Sequence, residues 1–174
     1  MDADWSVSSF PGDQAAVNGA ANLLLEPFPA HLADEFGVLF ASLTPWADYA
    51  YPAERLAGYF AAHEPGAPRL LIRVGEAAAG VMGLRNHWLR GPYLQFLGIR
   101  PEFQNRAIGS TVLAWWERQA RLSRETNLWL TVSEVNGRAR GFYSRNGFSE
   151  IACLPELVAE GHSEILMRKR LLKT

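Results

Sequence analysis

The sequence predicts a mixed α/β domain with a mostly antiparallel twisted sheet and flanking helices, and three observations carry that expectation. The chain is 174 residues long and 48% hydrophobic, which suits one substantial core and leaves little room for a second domain. Apolar runs at 69–74, 77–88 and 93–99 are separated only by the short turn-forming segments Gly75-Glu76 and Arg90-Gly91-Pro92, the pattern of an antiparallel meander. A helix-length amphipathic segment lies between the strand at 93–99 and the next at 127–132, so those two can run parallel through a right-handed crossover.

Taken in order, residues 1–20 are rich in Ser, Ala, Gly and Asp without a sustained period, and a loosely ordered extension is expected there. Residues 22–28 (NLLLEPF) form a short apolar run closed by prolines and read as a first strand. Helical spacing follows over 30–43 through Leu32, Phe36, Leu39, Phe40 and Leu43. An aromatic-rich loop (TPWADYAYP) leads to Pro52, placed where a first helical residue often stands, and Leu56, Tyr59 and Phe60 then supply a second stripe. After the meander come a helix over about 109–124, the strand at 127–132, a helix over 137–145, and closing strands at 148–154 and 164–171. No repeat or long linker divides the chain, so residues 21–174 read as one domain.

Charge narrows the function classes. The formal charge is -1 and both signs are interspersed, so no basic field is available to hold nucleic acid by counterion release. No apolar run approaches a membrane span. The single cysteine, Cys153, cannot form an intramolecular disulfide and is expected to be a buried spectator, and the first residues lack a signal-peptide pattern; a cytoplasmic location is the expectation.

The stretch QNRAIGS, residues 104–110, stands between a strand and a helix. Its unpaired amides would face outward at the positive end of a helix dipole, with Arg106 and Gln104 as side-chain donors and Gly109 allowing close approach. Taken alone it could equally be an ordinary strand-to-helix turn. The paired Trp115 and Trp116 read as packing residues of the helix that follows.

Together, LGIRPEFQNRAIGSTVL and NLWLTVSEVNGRARGFYSRNGF resemble the acetyl-CoA-binding half of the GNAT superfamily of N-acetyltransferases. The matching loop positions are Gln104, Arg106, Ala107 and Gly109, and the later ones are Asn136, Ala139, Phe142, Tyr143, Gly147 and Phe148. The resemblance covers 93–150 well, and the hairpin LLIRVGEAAAGVMGLR also looks like the family's second and third strands. It implies a sheet whose central parallel pair splays apart, acetyl-CoA as acetyl donor, and an amine acceptor, small molecule or peptide, that attacks directly without metal. It further implies a cofactor site at Leu97, Gly98, Ile99, Gln104, Asn105, Arg106, Ala107, Ile108, Gly109, Ser110, Asn136 and Tyr143. A homodimer is left open, as is a non-catalytic acyl-CoA-binding module.

Ala107 departs from the family, which carries glycine at that position; alanine disfavours positive φ, so the position is expected to be already helical. Gly98 marks either a bulge beside the splay or room for a packed neighbour. Tyr143 matches the tyrosine that acts as general acid in many members, and a phenol can donate a proton without carrying a charge. Asn136 can cap the helix and still touch the cofactor, while Arg140 faces phosphate or solvent.

No general base stands out. Some relatives that acetylate protein N-termini carry a glutamate five residues before the asparagine, where this chain has Thr131. The remaining candidates are Glu134, His87, Glu102 and Tyr93, or a water chain. For the acceptor, Trp46, Tyr49, Tyr51 and Trp88 could line a pocket or shield the core, and Asp48, Glu156 and Glu160 could complement an ammonium group.

Overall fold

A computed structural model describes residues 8–9 and 23–171. Eight strands form one sheet: β1 (Ser8–Ser9), β2 (Leu23–Pro27), β3 (Arg69–Val74), β4 (Ala77–Trp88), β5 (Gly91–Ile99), β6 (Asn127–Ser133), β7 (Ser149–Pro155) and β8 (Ser163–Arg170). Their spatial order is β1-β2-β3-β4-β5-β6-β8-β7. Every neighbouring pair is antiparallel except β5 and β6. Helices α1 (Ala33–Ala41), α2 (Ala53–Ala61), α3 (Ile108–Leu122) and α4 (Gly137–Arg145) flank it, so the expected mixed architecture with a central parallel pair is observed. Apart from the β1 pairing with Leu24 and Leu25, the expectation for 1–20 lies outside the described residues. Among the described residues no helix is long and apolar enough to cross a membrane.

The strand alternation read from sequence sorts side chains onto two faces. Leu70, Ile72, Met82 and Leu84 join Val112 and Trp116 of α3 in one core. Leu71 and Val81 join Phe36, Phe40 and Phe60 of α1 and α2 in the other. The helix expected at 30–43 is shorter, with a 3-10 turn at Ala30–Leu32 preceding α1.

One irregularity opens a cleft in the sheet. Gly83 pairs with Phe96 but Leu84 pairs with Leu94, so Gln95 is an extra residue in β5. A bulge reverses the facing pattern: Leu94 packs in the α3 core, while Phe96, two residues later, packs in the α1–α2 core. The parallel ladder to β6 covers only Tyr93 with Trp129 and Leu94 with Leu130. Beyond the bulge the two strands separate, leaving one side of β5 from Gln95 to Ile99 without a strand partner.

Gly98 is therefore not the bulge residue. A Cβ there would lie 2.4 Å from Phe40 Cε1 and 2.8 Å from Phe96 Cε1, so of the two alternatives the packed neighbour is the one observed. Cys153 is likewise corrected: it is exposed, because β7 is an edge strand held only by β8.

Candidate active site

On one side of the splay, the loop before α3 borders a groove of about 890 Å³. Leu97, Ile99, Gln104, Asn105, Ala107, Ile108, Gly109, Ser110, Asn136 and Tyr143 all contribute to its wall. The loop is shaped by two left-handed residues, Asn105 at φ 60° and Ala107 at φ 58°. The expectation that Ala107 is helical is thus overturned: it is the N-cap of α3, with φ 58° and ψ 6°. The chain must reverse there to enter α3, and alanine accepts the strain that glycine would avoid. No side chain caps α3, so the amides of Ile108, Gly109 and Ser110 have no helical partner.

Side chains hold this loop against α4. Gln104 Nε2 donates to the Ile99 carbonyl at 3.0 Å, and Arg138 Nη2 donates to Gln104 Oε1 at 3.3 Å and to Asn105 Oδ1 at 3.2 Å. Asn136 Oδ1 accepts from the Ala139 amide at 3.0 Å and caps α4. Gly109 lies against α4, where a Cβ would meet Phe142 Cζ at 3.0 Å. Two expected residues lie elsewhere. Gly98 lines the opposite cavity, and Arg106 turns onto the Phe103 ring, its guanidinium carbon 5.4 Å from the centroid. Arg138 and Arg145 supply the positive charge in the groove wall instead, and helical spacing on α4 could have found both. Arg140 is drawn away by Glu150 at 2.8 Å and the Glu134 carbonyl at 2.9 Å.

On the other side of the splay is a cavity of about 840 Å³. Trp46, Tyr49, Tyr51, Tyr59, Tyr93 and Phe96 give it a ring-rich wall. Trp46 stacks on Phe96 with centroids 4.4 Å apart, whereas Trp88 packs against Tyr93 and Trp129 and lies outside the cavity. Of the four aromatic residues expected, three thus line it and one shields the sheet.

Tyr143 belongs to both walls and stands where groove and cavity meet. Its ring is fixed between Phe142 and Phe148, at 5.2 and 6.0 Å. Its hydroxyl has no hydrogen-bond partner among the described residues. Burial pushes its pKa well above the ordinary phenol value, with the neighbouring Tyr93 adding to the rise, so the group stays protonated at neutral pH.

The carboxylate in this cavity is one that sequence reading passed over. Glu164, at the start of β8, is paired with Ser133 and is only 5% exposed. Tyr49 donates its phenolic proton to Glu164 Oε1. Burial raises the Glu164 pKa above the usual carboxylate range, opposed in part by Tyr49, Thr131 and His162. Tyr49 is itself pushed up to about 12, first by burial and then by the Glu164 carboxylate. Thr131 Oγ1 and Tyr93 Oη are hydrogen-bonded at 2.8 Å, extending the polar line toward Tyr143.

The other acids and bases considered fall outside. Glu134 and Glu102 are exposed, and Glu102 lies 3.6 Å from Arg100. His87 is exposed near the end of β4, beside Gly66. Asp48 accepts from Thr44 at 3.3 Å, Glu156 accepts from the Gly161 amide at 3.0 Å, and neither they nor Glu160 line the cavity.

Residues 21–148 match the family model described as Acetyltransferase (GNAT) family. A search of curated protein sequences returns no match. Among solved structures, Ard1 from Thermoplasma volcanium superposes with a TM-score of 0.69 at 16% identity, over 87% of this chain and 99% of that one. A GNAT-family protein from Desulfovibrio desulfuricans gives 0.67 at 21% identity, over 85% and 98%. A spermidine N-acetyltransferase from Vibrio cholerae, in complex with CoA and spermine, gives 0.67 at 16% identity, over 85% and 95%. At these identities the likeness is one of fold.

Proposed function

This chain belongs to the acetyltransferase (GNAT) family, and on that premise we propose that it moves an acetyl group from acetyl-CoA to a primary amine by direct attack, with Tyr143 as general acid. The observation that carries the reading is the double membership of Tyr143, which borders both the loop groove and the ring-lined cavity. A donor bound in one and an acceptor bound in the other would meet at its hydroxyl.

The groove suits the donor on its own chemistry. The uncapped amides of Ile108, Gly109 and Ser110 lie at the positive end of α3 and would hold a pyrophosphate, with Arg138 and Arg145 adding charge. The free side of β5 at Leu97–Ile99 would pair with the amides of a pantetheine arm as an added strand. When bound, acetyl-CoA supplies an activated acetyl thioester. The chain's own work is to align that carbonyl, shield it from water and place a neutral proton donor, Tyr143, beside the leaving sulfur. Residues 21–174 are taken as the domain that performs this.

Thermal unfolding with and without CoA tests the reading. At a hundred times its dissociation constant CoA should stabilise the protein by about 2.7 kcal/mol. Gly109→Asp should lose that stabilisation, since its carboxylate would stand beside the phosphates. Because a Cβ at Gly109 also presses on Phe142, Ser110→Asp provides the same charge without that contact. Absence of any CoA effect on the wild type, or full effects on both variants, would refute the proposal.

A further inference from the structure

The strongest unexplained feature of the cavity is its charge. Among the described residues that line it, Glu164 is the one carboxylate, and it is 5% exposed. No lysine or arginine lies within ion-pair distance of it among the described residues. Its polar neighbours are Tyr49, Thr131 and Ser133, with Tyr93 and His162 as the other titratable groups nearby. A buried acid without a cation is costly, and such groups are retained where a ligand provides the missing partner. Aromatic and aliphatic side chains make up much of the remaining lining, including the exposed Leu157 and Val158, and its two cationic residues are engaged elsewhere, Arg55 over the Tyr51 ring and Arg138 with Gln104 and Asn105.

We propose that Glu164, held by Tyr49, receives the acceptor's ammonium group and takes its proton, and that the acceptor is a primary monoamine carried on an aromatic or aliphatic body. The proposal rests on the acetyltransferase reading above and assigns its base and acceptor class. A polyamine would bring further ammonium groups into a cavity with no second carboxylate, and the desolvated charge would go unpaired.

The proton balance closes. The ammonium gives one proton to the Glu164 carboxylate, and the freed lone pair forms the N–C bond as the thioester C–S bond breaks. The sulfur takes the Tyr143 proton, the nitrogen's second proton restores the phenol, and Glu164 releases its proton to solvent. Glu164 sits on the same sheet face as Thr131, one strand over, since Ser133 is two residues from Thr131 and pairs with Glu164.

The test uses the full chain, 2-phenylethylamine and spermidine as probe amines, and Glu164→Gln, Glu164→Asp and Tyr49→Phe. Expected are unchanged CoA binding in all variants, 2-phenylethylamine used better than spermidine, and a loss of about a hundredfold in kcat/KM for Glu164→Gln with partial rescue by Asp. Calorimetry on the CoA-bound protein should show 2-phenylethylamine binding at least about tenfold weaker in Glu164→Gln. Tyr49→Phe, lacking the bond that lowers the Glu164 pKa, should move the acid limb of the kcat/KM profile to higher pH. Failure of the wild type to bind CoA would overturn the acetyltransferase reading. Normal CoA binding with Glu164→Gln within about threefold of wild type, or with spermidine preferred, would overturn this proposal alone.

Discussion

Tyr49, in the loop between α1 and α2, donates its phenolic proton to Glu164 at the start of β8, joining segments 115 residues apart across the mouth of one cavity. The bond steadies a carboxylate that burial would otherwise keep protonated more strongly still. Stability against pH follows from the sign of that shift. A carboxyl whose folded pKa is raised stabilises the fold only while protonated, so its contribution is present below the unfolded value and lost as pH rises through the folded one. Glu164→Gln should accordingly melt higher than wild type at neutral pH, with the difference disappearing below about pH 4, near the unfolded glutamate pKa. A variant that melts lower at neutral pH would show that the charged form is stabilised by something beyond Tyr49, Thr131 and His162.

Tyr143→Phe removes one oxygen and leaves the ring packed between Phe142 and Phe148. Its kcat should fall by about 10²–10⁴-fold with little change in CoA affinity, the signature of an acid acting in the transition state. Steady-state kinetics paired with calorimetry separates the two quantities, and an unchanged kcat would remove Tyr143 from the acid role.

Ala107 pays for the turn into α3 with a left-handed backbone. That conformation costs an L residue about 1–2 kcal/mol, of which glycine's larger unfolded freedom returns about 0.5–1. Ala107→Gly should therefore stabilise by about 0.5–1 kcal/mol, read as a rise of a few degrees at most in Tm. A fall in Tm would mean that the methyl makes contacts worth more than the strain.

Gly98 faces the Phe40 ring so closely that Gly98→Ala cannot be accommodated without movement. Overpacking of this kind costs about 1–3 kcal/mol. Denaturant unfolding should report that loss, and shortening the ring in a Gly98→Ala, Phe40→Leu double variant should recover part of it through coupling of the two sites. If the single variant were as stable as wild type, the packing reason given for this glycine would be wrong.

Most of the fold was legible along the chain. The meander at 69–99, the crossover helix and the parallel strand expected at 127–132 announced themselves through short turns and apolar period, and the strand extends one residue further. The loop at 104–110 and the cap at Asn136 were equally local, because a cap or a turn depends on a few consecutive residues. The Ala107 conformation is not legible in the sequence, because the path of the chain between β5 and α3, not the residue's preference, sets its φ.

What the sequence determined by itself was the order of elements, the alternation that sorts the two cores, and the loop and tyrosine that mark the family. Tertiary structure alone decided which side chains line the ring-rich cavity. Gln95 became a bulge through register against β4, and that extra residue turned Phe96 and Gly98 toward α1 and ended the pairing with β6. Glu164 entered the cavity through its pairing with Ser133 and its bond to a tyrosine far away in sequence. Local signals end within a few residues, whereas strand register and burial are fixed only when distant segments pack, and a carboxylate's charge and pKa depend on that packing.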